Sequence, residues 1–411
     1  MIFEKILILT QIAIMFSCIG IYGRGSNFTG RYFSPYNWFA FFIFFWFIIP
    51  QVMAVLPGHK IVGLDLFGED TRRGMIATGQ LAVLLYILSF SIAYFFFRMT
   101  FSKTLPVEPR FNAIFLKKTD RRILFILLLV GVLCTLKLGL TFQAMDGMRS
   151  QLVKNVEGKI LTALGFWGNF SFSVLFAFLL SRKRYGFSFM LLSVFASVIL
   201  LTGARGRLLW PLLISAIFLS IYYRRFPVSK ILFLGVLMLS VLVLLDPIMM
   251  AIKVGDLGSI VQHIESNNIF ASLFFKRNFD SFSNLTLIVN SNNIPHEWTR
   301  LFTGARNAFM ESYYPAAYRS GVGFGVTYPG TAFLSIGWAG IVLVGATLGL
   351  VCGYISRLVE KRLSVVQIFA YLTFMPWLCA SGGNFIENSD KMIAAVLPAL
   401  VWSIISKAKV R

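Results

Sequence analysis

Apolar runs of about 20 residues recur along this chain, separated by short polar connectors, and the alternation breaks once, over a long polar stretch at 246–330. A helix crossing a hydrocarbon layer about 30 Å thick needs about 20 mostly apolar residues at 1.5 Å each. Runs that meet this length lie at roughly 5–22, 37–56, 76–97, 123–140, 160–180, 186–204, 208–223, 230–250, 331–355, 364–380 and 390–406. The pattern predicts an all-α polytopic membrane protein with about eleven transmembrane helices, read as one helical membrane domain over 1–411 in which 246–330 forms a loop-built cap. The first run lacks a small-residue cleavage site and is followed by many further spans, so it reads as a retained helix.

Shorter periodicities mark two amphipathic pieces. In the outer connector, Leu152, Val153, Val156 and Ile160 recur at helical spacing and predict a short helix lying on the membrane surface. In the long stretch, Phe275, Phe279 and Phe282 share one side of a helix, while Arg277, Asp280 and Asn284 share the other. Either that polar stripe turns toward a cavity, or Arg277 and Asp280 form a surface ion pair worth a few tenths of a kcal/mol.

Composition agrees with the pattern: 57% of the residues are hydrophobic, only 13% are charged, and a water-soluble fold is excluded on those figures. The formal charge of +21 sits in short Lys/Arg clusters between apolar runs, which reads as membrane-face anchoring and leaves no basic domain for nucleic acid. The clusters at Arg98 to Arg122, Arg182-Lys183-Arg184, Arg224 to Lys230, Arg357 to Arg362 and Lys407 to Arg411 then mark the inner face. This places the N-terminus and the connectors at 57–75, 141–159, 205–207, 246–330 and 381–389 on the outer face. Cys18, Cys134, Cys352 and Cys379 all lie in apolar runs without ligand spacing, so they read as packing residues, and no cofactor is indicated.

Candidate chemistry gathers on the outer connectors. Thr202-Gly203-Ala204-Arg205-Gly206-Arg207 ends one apolar run and begins the next, on the face where the inside-positive preference gives no reason for arginine. Arg205 and Arg207 either snorkel to lipid phosphates or, with the glycines allowing close approach, grip a substrate phosphate through paired charge-assisted hydrogen bonds. Arg149 stands at the start of the predicted surface helix, a position that favours anions, whereas Lys154 and Glu157 read as a solvated face. His263, His296, Glu265, Glu297 and Glu311 are each candidate general bases, and the pattern does not rank them. Trp298, Tyr313, Tyr314 and Tyr318 suit sugar stacking or the membrane interface. Gly321-Val322-Gly323-Phe324-Gly325 lies in no strand-helix context and reads as a hinge. Metalloprotease and serine-hydrolase signatures are missing, so a phosphorylated leaving group would rely on arginine for its developing charge.

Three features together carry a family resemblance: Thr202-Gly203-Ala204-Arg205-Gly206 closing a span, the long late outer loop, and Thr327-Tyr328-Pro329-Gly330 followed by Gly337-Trp338-Ala339-Gly340. In these the chain resembles the bacterial O-antigen polymerase (Wzy) and oligosaccharide repeat-unit polymerase family. The resemblance implies a C-type glycosyltransferase fold in the bacterial inner membrane. It implies metal-independent transfer of a growing glycan from undecaprenyl pyrophosphate to a lipid-linked repeat unit at the periplasmic face. Membrane lipids and a chain-length regulator are the implied partners. Arg205 matches the family's Arg-Gly element, and Arg149 and Arg277 look like its pyrophosphate-holding loop arginines. The expectation is then Arg149, Arg205, Arg207 and Arg277 around pyrophosphate, with Asp280 or His296 taking a proton from the acceptor hydroxyl. One departure stands out, since Thr331-Ala332-Phe333 occupies a segment where some members carry an acid. Alternatives are an O-antigen ligase or, from another class, a lipid-linked oligosaccharide transporter, which would show charged or broken helices near mid-membrane.

Overall fold

Helix dominates the computed structural model, which describes residues 2–25, 34–55, 64, 68–101, 116–144, 156–201, 206–223, 280–291, 293–319, 325–359, 365–380 and 385–408, with no strand among them. Fourteen helical runs are labelled in order among these residues. They are α1 (Ile2–Gly25), α2 (Pro35–Val55), α3 (Glu69–Phe101), α4 (Lys118–Ala144), α5 (Val156–Ser181), α6 (Tyr185–Leu201), α7 (Gly206–Tyr223), α8 (Asp280–Val289), α9 (Ala305–Tyr313), α10 (Pro315–Arg319), α11 (Tyr328–Ile336), α12 (Trp338–Val359), α13 (Val365–Cys379) and α14 (Phe385–Ala408). Five stretches of the described residues, in α2, α3, α4, α5 and α12, are long and apolar enough to cross a membrane, and α6, α7, α13 and α14 contain shorter apolar helices. The protein is therefore an α-helical membrane protein.

Local sequence accounts for the helix ends and irregularities. Ser34 caps α2, its hydroxyl accepting from Asn37 N at 3.2 Å, and Pro35 follows at a position where no donor is needed. Within α2, Phe44–Ile48 widens into a π-turn immediately before Pro50, whose ring cannot sit against the carbonyl four residues back and which has no N–H to offer it. Glu69 and Asp70 open α3 and Arg98 lies in its last turn, each sign complementing the helix dipole.

The chain divides into two compact units. The first comprises Met1–Glu108, Phe274–Arg362 and Met375–Ser389, and is built around α3. There α12 runs parallel to α3: Gly345 meets Tyr86 and Ser89, Gly349 meets Phe90, Gly353 meets Phe97, and Arg98 donates to Ser356 Oγ at 3.0 Å. The glycines let the backbones touch, and a Cβ on Gly349 would lie 2.4 Å from Phe90 O. On another flank of α3, Phe39 stacks on Phe90 at 3.5 Å between centroids and Tyr36 shares a 3.1 Å hydrogen bond with Ser91.

The second unit comprises Pro109–Leu273, Leu363–Phe374 and Asp390–Arg411. Antiparallel α4 and α5 meet at Gly131 and Gly168, where a Cβ on Gly131 would lie 2.1 Å from Gly168 N. Leu128, Phe172, Phe195 and Ile199 close an apolar core between α4, α5 and α6, with Phe172 stacked on Phe195 at 4.1 Å. Asp120 at the start of α4 is buried, and its carboxylate accepts from Trp402 Nε1 of α14 and from Lys117 N, both at 3.0 Å.

Two expectations need correction. The apolar run at 331–355 is not one helix: it breaks at Gly337, between α11 and α12. The surface helix predicted around 152–160 has no separate existence among the described residues, because Val156 to Ile160 are the first turns of α5. Within the stretch at 246–330, residues 246–279 lie outside the described residues, while α8 and the first turn of α11 are packed inside the first unit.

Candidate functional site

Gly337 sets the geometry of the site. Its φ of 66° with ψ of −149° is a conformation reserved in practice for glycine, so the helical path ends there and restarts as α12. The broken end leaves carbonyls of α11 to be satisfied. Gly337 N donates to Phe333 O at 2.8 Å, and Glu297 N, from the polar stretch, donates to Leu334 O at 3.1 Å.

That second bond seats the polar segment on the break. His296 turns its ring edge-on to Phe333, with centroids 5.1 Å apart, and a Cβ on Gly337 would lie 3.6 Å from its Nε2. The imidazole is exposed and makes no hydrogen bond or ion pair among the described residues. Arg300 holds the turn that presents it: its guanidinium donates to Pro295 O and pairs with Glu297 at 3.3 Å, while its side chain is only 11% exposed. This arginine is engaged in shaping the segment.

The other end of α11 is buried completely. Thr327 caps it, its hydroxyl accepting from Gly330 N at 3.1 Å, and Pro329 fits the donor-free first turn. Tyr328 donates its hydroxyl to Trp377 O at 3.0 Å. Beside this end lies α8. Ile288 touches Gly330, and Asn284 Nδ2 donates to Gly325 O at 3.0 Å. The far side of α8 rests on α3, where Thr286 lies against Gly79 and Asn290 Nδ2 donates to Met75 O at 3.1 Å. Tyr313 of α9 closes over it, donating to Leu287 O at 3.1 Å.

Of the predicted polar stripe, only the Asn284 side chain falls among the described residues, and it is buried. Ser281, Phe282, Ser283, Asn284, Leu285, Thr286, Leu287 and Ile288 are all buried, so the described side chains of the helix present no solvated face. The reason is legible afterwards: from Ser281 through Pro295 the chain carries no charge, and small hydroxyl and amide side chains tolerate close packing where Lys or Glu would not. Asn284 Oδ1 and the hydroxyls of Thr286 and Thr331 are buried without hydrogen-bond partners among the described residues.

Of the residues expected to act, His296 and the helix opened by Asp280 both meet α11, although nothing is described of the Asp280 side chain. Arg149, Arg205 and Arg277 lie outside the described residues, as do His263 and Glu265. Arg207 falls in the first turn of α7, in the second unit, with only its backbone described. Trp298 and Glu311 are exposed, while Tyr313 spends its hydroxyl on α8. The described part of the site supplies one imidazole, amides and hydroxyls; among the described residues no three His, Cys, Asp or Glu gather as a metal site would need. Such groups suit recognition of a neutral hydroxyl and removal of its proton. No protein-family model, curated protein or solved structure matches the chain.

Proposed function

We propose that the protein is a membrane glycosyltransferase of the O-antigen polymerase type, moving a growing glycan from undecaprenyl pyrophosphate to the terminal sugar of a lipid-linked repeat unit at the periplasmic face of a bacterial inner membrane. One observation carries the reading: the Thr327-Tyr328-Pro329-Gly330 element on which the resemblance rests opens a short buried helix, and the break at its other end is roofed by the polar segment bearing His296. Irregular backbone inside a membrane bundle is tolerated where protein or a water-lined cavity satisfies it.

In this reaction the acceptor hydroxyl oxygen attacks the anomeric carbon of the donor. Its proton passes to His296 or Asp280, the bond from carbon to pyrophosphate oxygen breaks, and the electron pair leaves with the pyrophosphate. Arg149, Arg205, Arg207 and Arg277 are the groups assigned to that leaving group, where hydrogen bonds strengthen as negative charge accumulates.

A transporter of lipid-linked oligosaccharide is the second reading, and the helix break at Gly337 favours it, since discontinuous helices build many transport sites. A deletion strain separates the readings on one gel. Loss of a polymerase leaves single repeat units on the lipid core, while loss of a ligase or transporter leaves the core bare. Bare core in the deletion strain would overturn the polymerase assignment.

A further inference from the structure

The end of the second unit where α4 starts and α5 stops is strongly basic. Lys117-Lys118-Thr119-Asp120-Arg121-Arg122 leads into α4 and Arg182-Lys183-Arg184 turns α5 into α6, so seven cations stand against one acid, and all seven are exposed. The acid, Asp120, is buried and bonded to Trp402 Nε1 and Lys117 N. Like charges gathered on one end of a helix bundle repel one another, and a bound anion relieves that repulsion.

Two features show that the cluster is organised. Arg121 and Arg182 come from different helices yet lie over the same ring, their Cζ atoms 5.9 Å and 5.7 Å from the Phe178 centroid, within cation–π range. Phe178 is buried, so one fixed aromatic side chain gathers a guanidinium from each helix. The turn after α5 is the second feature. It closes as a Schellman cap, Arg184 N donating to Leu179 O and Lys183 N to Leu180 O, both at 3.0 Å. The left-handed position of that cap is filled by Lys183, with φ of 56°, where glycine would be unstrained. The chain keeps a cation there in spite of the strain.

The surface leading away from the cluster is apolar. Phe187, Met190 and Val194 recur at i, i+3 and i+7 along α6 and are each more than half exposed, while Phe195 and Ile199 of the same helix face the core. On α4, Phe125, Leu129 and Leu133 form a similar exposed stripe following Arg122. A soluble anion would use the cations and leave the stripes bare. A ligand that uses both carries its negative charge next to hydrocarbon, which describes an anionic phospholipid.

We propose that this end of the second unit is a binding site for an anionic phospholipid, whose phosphate accepts from Arg121 and Arg182 beside Lys183 and whose acyl chains run along the exposed stripe of α6. The bound headgroup ties the start of α4 to the turn between α5 and α6. The site stands independently of the glycosyltransferase reading.

The test is native mass spectrometry of the full-length protein, released from detergent containing equal amounts of dioleoyl phosphatidylglycerol and dioleoyl phosphatidylcholine. The two lipids share their tails and a phosphate, and the choline cancels the charge of the second. Wild-type protein should retain phosphatidylglycerol at least about 30-fold more strongly, and the double variant Arg121→Gln, Arg182→Gln should lose most of that preference, at about fivefold for each arginine removed. Lys137→Gln with Lys159→Gln removes as many cations near the opposite ends of α4 and α5 and should leave the preference unchanged. An equal loss in that control would mean that net charge alone sets retention, and would overturn the site. A wild-type preference below about twofold would overturn it with no variant needed. Excess glycerol 1-phosphate that strips the phosphatidylglycerol adducts would assign the cations to a soluble phosphate and reject the lipid.

Discussion

The two units solve helix packing differently. Around α4, α5 and α6 the chain uses Leu128, Phe172, Phe195 and Ile199 with a glycine contact at Gly131 and Gly168, and its buried carboxylate, Asp120, is satisfied by two donors. Around α3, α8 and α11 it uses a helix break at Gly337 and, among the described residues, leaves Gln51, Gln80, Asn284, Thr286 and Thr331 with buried unpaired atoms, amides as well as hydroxyls, where the second unit leaves only the hydroxyls of Thr162 and Ser171. A scaffold minimises such groups because each one costs stability. In the first unit such groups include Asn284 of α8 and Thr331 of α11, the helix whose broken end seats the segment carrying the exposed imidazole.

The difference can be broken at its strongest point first. Gly131→Leu places a branched side chain where α5's backbone already sits, and it should destabilise the second unit by more than about 4 kcal/mol, removing folded protein from the membrane. Quantitative immunoblotting of membrane fractions checks this. His296→Ala should do the reverse, leaving abundance unchanged because the ring is exposed, while polymer formation falls by about 10²- to 10⁴-fold. The measured quantity is the rate of chain extension in isolated membranes, and an unaltered rate would remove His296 from the reaction.

Gly337→Ala sharpens the comparison at the break itself. The three atoms nearest to an added methyl group belong to His296, at 3.6 to 3.9 Å, so the cost is backbone strain of about 1–3 kcal/mol and a reseated polar segment. Thermal unfolding should register that strain, together with a loss of activity greater than the loss of protein. Tyr313→Phe deletes one hydrogen bond to Leu287 O and should cost about 0.5–1.5 kcal/mol. In the second unit, Glu157→Gln removes the exposed pair with Lys137 and should leave the unfolding temperature unmoved within error, since both side chains are more than half exposed and solvent screens them.

How far the sequence discloses this molecule depends on which physical signal each feature leaves. The apolar runs at 76–97, 123–140 and 160–180 lie within α3, α4 and α5, because length and hydropathy are what a bilayer selects. Hydropathy is blind to dihedral angles. The run at 331–355 concealed a break, because Gly337 is apolar enough to continue a span and its positive φ leaves no mark on composition. The periodicity around Phe282 and Asn284 suggested two faces, yet both are buried, because hydroxyl and amide residues satisfy a polar count while still packing against α3 and α11. At the site, His296 was visible as a titratable group, but its seat on Phe333 and Gly337 depends on contacts between positions 37 to 41 residues apart in sequence. Arg300 shows what composition alone leaves unread: its bonds to Pro295 and Glu297 hold the turn that carries His296.

In the proposed function the chain joins lipid-linked glycans. Purified protein reconstituted with undecaprenyl-pyrophosphate-linked repeat units from its host should convert them to a ladder of longer glycans with release of undecaprenyl pyrophosphate, and Arg205→Ala should abolish the ladder. Wild-type protein that carries the repeat unit across the bilayer, or leaves it untouched, without lengthening it would contradict the claim.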